Sequence, residues 1–224
     1  MPRPSVLQQL RTLLPTKQSV TVDESKQIAE RQAYKLLHLL GITEPSVNVA
    51  GIIDLPRIRV RVASTLPVSG LTYWSKDHWD IAVRGNDSST RRRFTLAHEF
   101  KHIIDHPYID VLYPGLDTDE KIAKQVETIC DHFAACLLMP ALWVEREWSR
   151  GIRDPTTLAR IFKVSPAAMK IRLAALKLGG GPSSGSLVDD GDIRSYFRLL
   201  PAPVFVPVVV QPCPFIRFMA GRRS

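Results

Sequence analysis

Between Thr21 and Gly41 the chain places Ile28, Ala33, Leu36, Leu37 and Leu40 on one helical face. Thr21-x-x-Glu24 fits a capping box at the start of that helix, and Gly41 suits its end. The period then shortens. Ile58-Arg59-Val60-Arg61-Val62 alternates apolar and basic residues and predicts a half-exposed strand. Leu71-Thr72-Tyr73-Trp74 and Trp79-Asp80-Ile81-Ala82-Val83 flank a polar turn and predict a hairpin. Helical spacing returns with Phe94, Ala97, Ile103 and Ile104; Ser88, Ser89 and Thr90 are candidate N-caps for this helix, and Pro107 stops it. A further helix is predicted over residues 119–139, where Ile122, Val126, Ile129, Phe133 and Leu137 form an apolar stripe. Asp117 and Thr118 are its candidate N-caps, and Pro140 ends it.

Asp154-Pro155 and Ser165-Pro166 each suit the start of a short helix. Leu158, Ala159, Phe162, Met169, Leu173 and Leu176 give the two helices a shared apolar face, so residues 154–178 resemble a helix-turn-helix. Arg160, Lys163, Lys170, Arg172 and Lys177 make the pair basic, but the second helix lacks the Asn and Gln side chains that read bases. A packing module fits it best, with a DNA reader and a surface that recognises a substrate as comparable alternatives. After Leu178 a Gly/Pro/Ser-rich linker leads to a proline-broken tail, whose apolar run Val204-Phe205-Val206-Pro207-Val208-Val209-Val210 contains a proline unsuited to a central strand. That tail is expected to be disordered. The expected organisation is a flexible segment over 1–20, a main domain over 21–150, the helical pair over 151–178, and linker and tail over 179–224.

At 224 residues and 45% hydrophobic, the chain can bury one ordinary core with a small appendage. The first 17 residues lack the sustained apolar run of a signal peptide, and no stretch has the length of a membrane span. Cys130, Cys136 and Cys213 show neither zinc-knuckle nor redox spacing and read as small core residues of a cytoplasmic protein. The net charge of +8 is spread along the chain, with Arg91-Arg92-Arg93 its dense run, read as a solvated face. Weak phosphate contacts to DNA stay open, membrane association is not expected, and oligomeric state is not determined.

The chemistry concentrates in His98-Glu99-Phe100-Lys101-His102. On a helix, residues four apart stack one above the other, so both imidazoles address one point, as half of a tetrahedral zinc site does. Glu99 sits beside the first ligand, where it can take a proton from water. A pair of histidines satisfied by ordinary neighbours gives the same short pattern. A catalytic site needs a third protein ligand. His106 cannot serve, being rotated by about 80° and displaced by about 12 Å from His98 on an ideal helix. It is expected to interact with the helix dipole instead. The metzincin arrangement is excluded because no helix-breaking glycine follows the motif. On the next helix Glu127 and Asp131 stand four apart beside the apolar stripe, which suits Glu127 as ligand and Asp131 as the carboxylate that orients a ligand histidine. Glu120 is an alternative ligand nearer the helix start, and two solvated acids are the plain alternative. Tyr73, His78, Tyr108 and Tyr113 are candidates to stabilise an oxyanion. An edge of the small sheet, with Val68-Ser69-Gly70 and the segment around His78, is expected to line a substrate cleft by strand addition.

Arg93-Phe94-Thr95-Leu96-Ala97-His98-Glu99, followed by Glu127-x-x-x-Asp131-x-Phe133-Ala134-Ala135-x-Leu137-Leu138-Met139-Pro140, resembles the ImmA/IrrE family of metallopeptidases. The likeness continues through Leu158-Ala159-x-x-Phe162-x-Val164-Ser165 and Met169-x-x-Arg172-Leu173 and covers about residues 25–178. It implies His98, His102 and Glu127 as metal ligands and Glu99 as catalytic base. It also implies an intracellular peptidase that cleaves helix-turn-helix repressors to switch on genes. Phe100-Lys101 replaces the Leu-Gly often found inside the motif, and Cys130 stands where alanine is usual; neither alters a ligand. The expectation is an α+β fold, mainly a helical zincin-type domain with a small β-sheet. Its cofactor is expected to be zinc, with manganese or iron as other metals such ligands accept. The rival functions are a non-catalytic module that binds a repressor or DNA, and a broad-specificity protein-degrading enzyme.

Overall fold

The computed structural model describes residues 4–116 and 118–179. The elements run α1 (Val6–Arg11), α2 (Val22–Leu39), α3 (Ala50–Ile53), β1 (Ile58–Ala63), β2 (Gly70–Ser75), β3 (His78–Arg84) and α4 (Ser89–Asp105). A 3-10 turn (His106–Tyr108) leads to α5 (Ile109–Leu112), α6 (Glu120–Leu138), α7 (Ala141–Ser149), α8 (Pro155–Phe162) and α9 (Pro166–Ala175). The architecture is the expected α+β one. The strand order is β1-β3-β2, with β1 parallel and β2 antiparallel to β3. One face of this sheet packs on α4, and α6 lies against both α4 and α2. Phe100 of α4 meets Phe133 of α6 at a ring separation of 6.4 Å, with Leu36, Ile103 and Ile129 buried in the same core.

The local signals operate as anticipated in α2, where Thr21 and Glu24 form a reciprocal capping box and Gly41 turns the chain at φ 65°. β1 departs from its pattern. Ile58 is buried, but Val62 is 65% exposed, because the strand lies at the sheet edge and its apolar side sinks into the core only where it begins. The first 20 residues were expected to be flexible, yet α1 docks within them. Leu10 is fully buried, its carbonyl accepts from buried Gln32 at 3.3 Å, and Arg11 donates to the carbonyls of Ile103 and Ile104 at 2.7 and 3.1 Å. Arg11 is therefore the cation at the C-terminal end of α4. His106 instead sets its ring edge-on to Trp79 at 4.7 Å, and burial together with the charge of Arg11 lowers its pKa. This corrects the helix-dipole expectation.

Two further corrections concern charge. Arg92 and Arg93 are not a solvated face. Arg92 donates to the carbonyls of Gly85 and Asp87, and Arg93 to those of Val47, Phe162 and Lys163, which ties the start of α4 to the end of α8. Arg172, counted among the basic residues of the helical pair, is buried and donates from Nε to the carbonyl of Met139 at 2.9 Å, where α6 ends. The pair α8–α9 starts from Asp154 and Ser165 caps with proline following each, as expected, and buries Leu158, Phe162, Met169 and Leu173. Helix α6 is capped by Asp119, which accepts from the Lys121 N–H at 2.8 Å, rather than by Thr118, whose hydroxyl turns back to Gly115. Asp117, Cys213, and the linker and tail from Gly180 onward lie outside the described residues. Among the described residues no single helix is long and apolar enough to cross a membrane.

Candidate metal centre

Ser88 caps α4 by accepting from the Arg91 N–H at 3.2 Å, and the helix then runs unbroken through the histidine motif. One helical turn separates His98 from His102, and their Nε2 atoms stand 3.2 Å apart. α6 crosses at this point and brings Glu127 up to both. Its Oε2 is 3.5 Å from His98 Nε2, and its Oε1 is 3.1 Å from His102 Nε2. Asp131, one turn further along α6, accepts at 2.8 Å from His98 Nδ1. A carboxylate is an acceptor, so that ring nitrogen carries a proton, and Nε2 is the atom of His98 that faces the junction.

The residues fit a metal ion on three grounds. Ligands about 2.0–2.1 Å from a tetrahedral zinc lie about 3.3 Å from one another, which the three separations of 3.1, 3.2 and 3.5 Å match. Glu127 Oε1 is buried without a well-formed hydrogen bond, although it lies in contact distance of His102. The field also favours a cation there. Burial opposes charge on His98, but Glu127 and Asp131 outweigh it and hold its pKa well above the ordinary value. Burial likewise opposes the Glu127 charge, yet the two imidazoles hold its pKa far below the usual carboxylate range. The Glu127 side chain is 39% exposed, while its Oε1 and both imidazoles at the junction are largely buried.

Cys130 also belongs to the cluster, with a ligand atom within 4.8 Å of those of His98 and His102. Its sulfur faces His102 Nδ1 at 3.6 Å, whereas Nε2 of that ring faces His98 and Glu127. An ion at the Nε2 junction therefore has His102 between itself and the thiol. Burial pushes the Cys130 pKa well up, so it stays a thiol. Reading Cys130 as only a small core residue missed this contact. The signal was its place at i+3 from Glu127 and beside Asp131, on one face of α6.

Glu99 is buried on the sheet side of α4. Its Oε2 accepts from the Thr72 hydroxyl of β2 at 2.7 Å, and Gly70 of the same strand packs against its carboxylate. Neither β2 residue was singled out for this contact from the sequence. The other candidates are engaged elsewhere. Glu120 pairs with Lys124 at the start of α6. Tyr113 donates to Asp105, Tyr73 bonds Arg61, His78 lies between Asp77 and Asp80, and Tyr108 packs against the hydrophobic core. The structure brings none of these four tyrosine and histidine candidates to the histidine pair through any contact described.

A helix carrying two histidines and a glutamate, packed on a small sheet and crossed by a helix bearing a third donor, is the arrangement of a zincin-type metallopeptidase domain. Residues 57–174 match the model of the IrrE N-terminal-like domain, and the chain belongs to that family of metallopeptidases, as its motif resemblance implied. Membership implies a bound metal ion. A curated relative, the radiation response metalloprotease IrrE of Deinococcus deserti, is 28% identical over 106 residues, which make up 46% of this chain and 37% of the relative. A solved Mycobacterium tuberculosis transcriptional regulator shares the fold, with a TM-score of 0.55 at 16% identity over 76% of this chain and 52% of that one. The chain thus spans about half or less of the length of these two proteins.

Proposed function

We propose that this chain is a zinc-dependent endopeptidase of the cytoplasm that cleaves a helix-turn-helix transcriptional repressor and so derepresses genes. The observation that carries the reading is the meeting of His98 Nε2, His102 Nε2 and the Glu127 carboxylate at tetrahedral separations beside a buried Glu99. Zinc, when bound, supplies Lewis acidity toward water and toward a peptide carbonyl. Two imidazoles and a carboxylate suit zinc, and they also accept manganese. His98 is held in its ligating tautomer by Asp131. Glu99 accepts the proton of the attacking water and passes it to the amine nitrogen that leaves. The substrate backbone is held in extended form by pairing with β2, an edge strand of the sheet that runs alongside α4.

The repressor substrate is carried by the ImmA/IrrE resemblance, and the structural neighbour, a transcriptional regulator, accords with a role in gene control. Free, buried Cys130 and Cys136 suit a reducing compartment. The test uses purified wild type and Glu99→Gln, each analysed for bound metal and then incubated with the repressor encoded nearest to this gene. Roughly one metal per chain in both proteins is expected, with a discrete cut by wild type alone. A metal-loaded wild type that leaves repressors intact, or Glu99→Gln that cuts as fast, overturns the proposal. Degradation of casein at a comparable rate replaces the specific substrate with a general one.

A further inference from the structure

We propose that Thr72 is the positioning residue of the Glu99 carboxylate, an inference that rests on the reading of Glu99 as the proton acceptor. In the register of the sheet Thr72 lies opposite Ile81, and it is buried on the face that packs against α4. Its hydroxyl donates to Glu99 Oε2 at 2.7 Å, across 27 residues of sequence. Gly70, two residues earlier on the same face, meets the other oxygen. A Cβ at this position would lie 2.6 Å from Glu99 Oε1 and 2.3 Å from Thr95 Cγ2, so the glycine leaves the space that this oxygen needs. One strand therefore holds both ends of the carboxylate, one by a hydrogen bond and the other by close backbone approach.

The arrangement addresses a weakness of placing a base on a helix. A glutamate has three rotatable side-chain bonds and loses considerable rotamer entropy when held in one geometry. α4 sets where the Glu99 side chain begins but not where its carboxylate ends. Threonine, stiff at χ1, is suited to fix a hydroxyl in space. The same strand offers its free edge to an extended peptide, so pairing a substrate on β2 also sets its reacting bond relative to Glu99.

The experiment reads the placement of Glu99 without a cleavable substrate. The cobalt(II)-substituted protein is titrated with acetohydroxamate and followed by visible absorption, because the hydroxamate proton passes to the neighbouring carboxylate on binding. Glu99→Gln is expected to bind the probe about tenfold more weakly than wild type, and Thr72→Val and Thr72→Ala to weaken it similarly, because a carboxylate left free to rotate must be ordered when the probe binds. Thr72→Ser, which keeps the hydroxyl, should stay within about twofold of wild type. Metal content should be unchanged in all of them, and Tyr73→Phe on the outer face should bind as wild type does. Binding by folded Thr72→Val or Thr72→Ala as tight as wild type, with Glu99→Gln weakened, overturns the proposal while leaving the base assignment intact. Equal loss in Thr72→Ser also overturns it, since the methyl group rather than the hydroxyl would then matter. Glu99→Gln that binds like wild type overturns the reading of Glu99, and this inference with it.

Discussion

Lys101 is the most buried charge in α4, and removing it makes a sharp test of how that helix is held. Its Nζ lies 2.5 Å from Asp105 Oδ1, and the Tyr113 hydroxyl donates to Asp105 Oδ2 at 3.1 Å, with all three side chains buried. Lys101→Met keeps the length of the side chain and deletes the charge. Asp105 then keeps a phenol as its partner and loses its counterion in a site with little access to water. Breaking one half of a buried pair costs about 3–5 kcal/mol, whereas replacing the whole pair by apolar groups is often neutral or stabilising. Lys101→Met is therefore expected to lower stability by about 3–5 kcal/mol, a drop of roughly 6–20 °C in Tm for a chain of this size. The triple variant Lys101→Met/Asp105→Leu/Tyr113→Phe, which also removes the phenol that would be orphaned, should recover to within about 2 kcal/mol of wild type. Urea unfolding of the metal-free proteins at pH 7, followed by tryptophan fluorescence, measures both. A single-variant cost under about 1 kcal/mol, or effects that simply add across the three sites, would refute the reasoning.

Three other outcomes follow from the same geometry. Asp131→Ala removes the partner of His98 Nδ1 but no proposed ligand, so chelator competition should show metal affinity lowered about 10–100-fold with the fold intact; an unchanged affinity means that Asp131 does not orient His98. Gly70→Ala drives a methyl group against Thr95 and Glu99 and should cost about 1–3 kcal/mol by urea unfolding, with cleavage lost and metal retained; full activity would show that β2 does not seat Glu99. Burial, with Arg172 and Lys26 nearby, lowers the His132 pKa to about 4. The unfolded chain takes up that proton near pH 6.5 and the folded chain does not, so stability falls as pH drops from about 6.5 to about 4, by about 3 kcal/mol in all. Metal-free His132→Gln should lose that much less than wild type over this range, and parallel pH curves would exclude the effect.

What could be determined from the sequence follows the periods of single elements. A helix repeats every 3.6 residues, so His98 and His102 must share a face wherever α4 lies, and so must Glu127, Cys130 and Asp131 on α6. Caps are local too, which is why Thr21, Ser88, Asp154 and Ser165 stand where expected. The charged residues were misjudged for the opposite reason. Nothing local distinguishes an arginine in water from one that grips a carbonyl 69 residues away, as Arg93 does at Phe162, and the same holds for Arg172 at Met139. The crossing of α4 by α6, which sets Glu127 between the two imidazoles, and the course of β2, which lays Thr72 and Gly70 on Glu99, come from the packing of the whole core. The sequence determined which chemical groups are present and which of them share an element. Only the tertiary structure decided which groups meet, because residues about 30 apart in the chain come within hydrogen-bond distance only when the elements between them have packed.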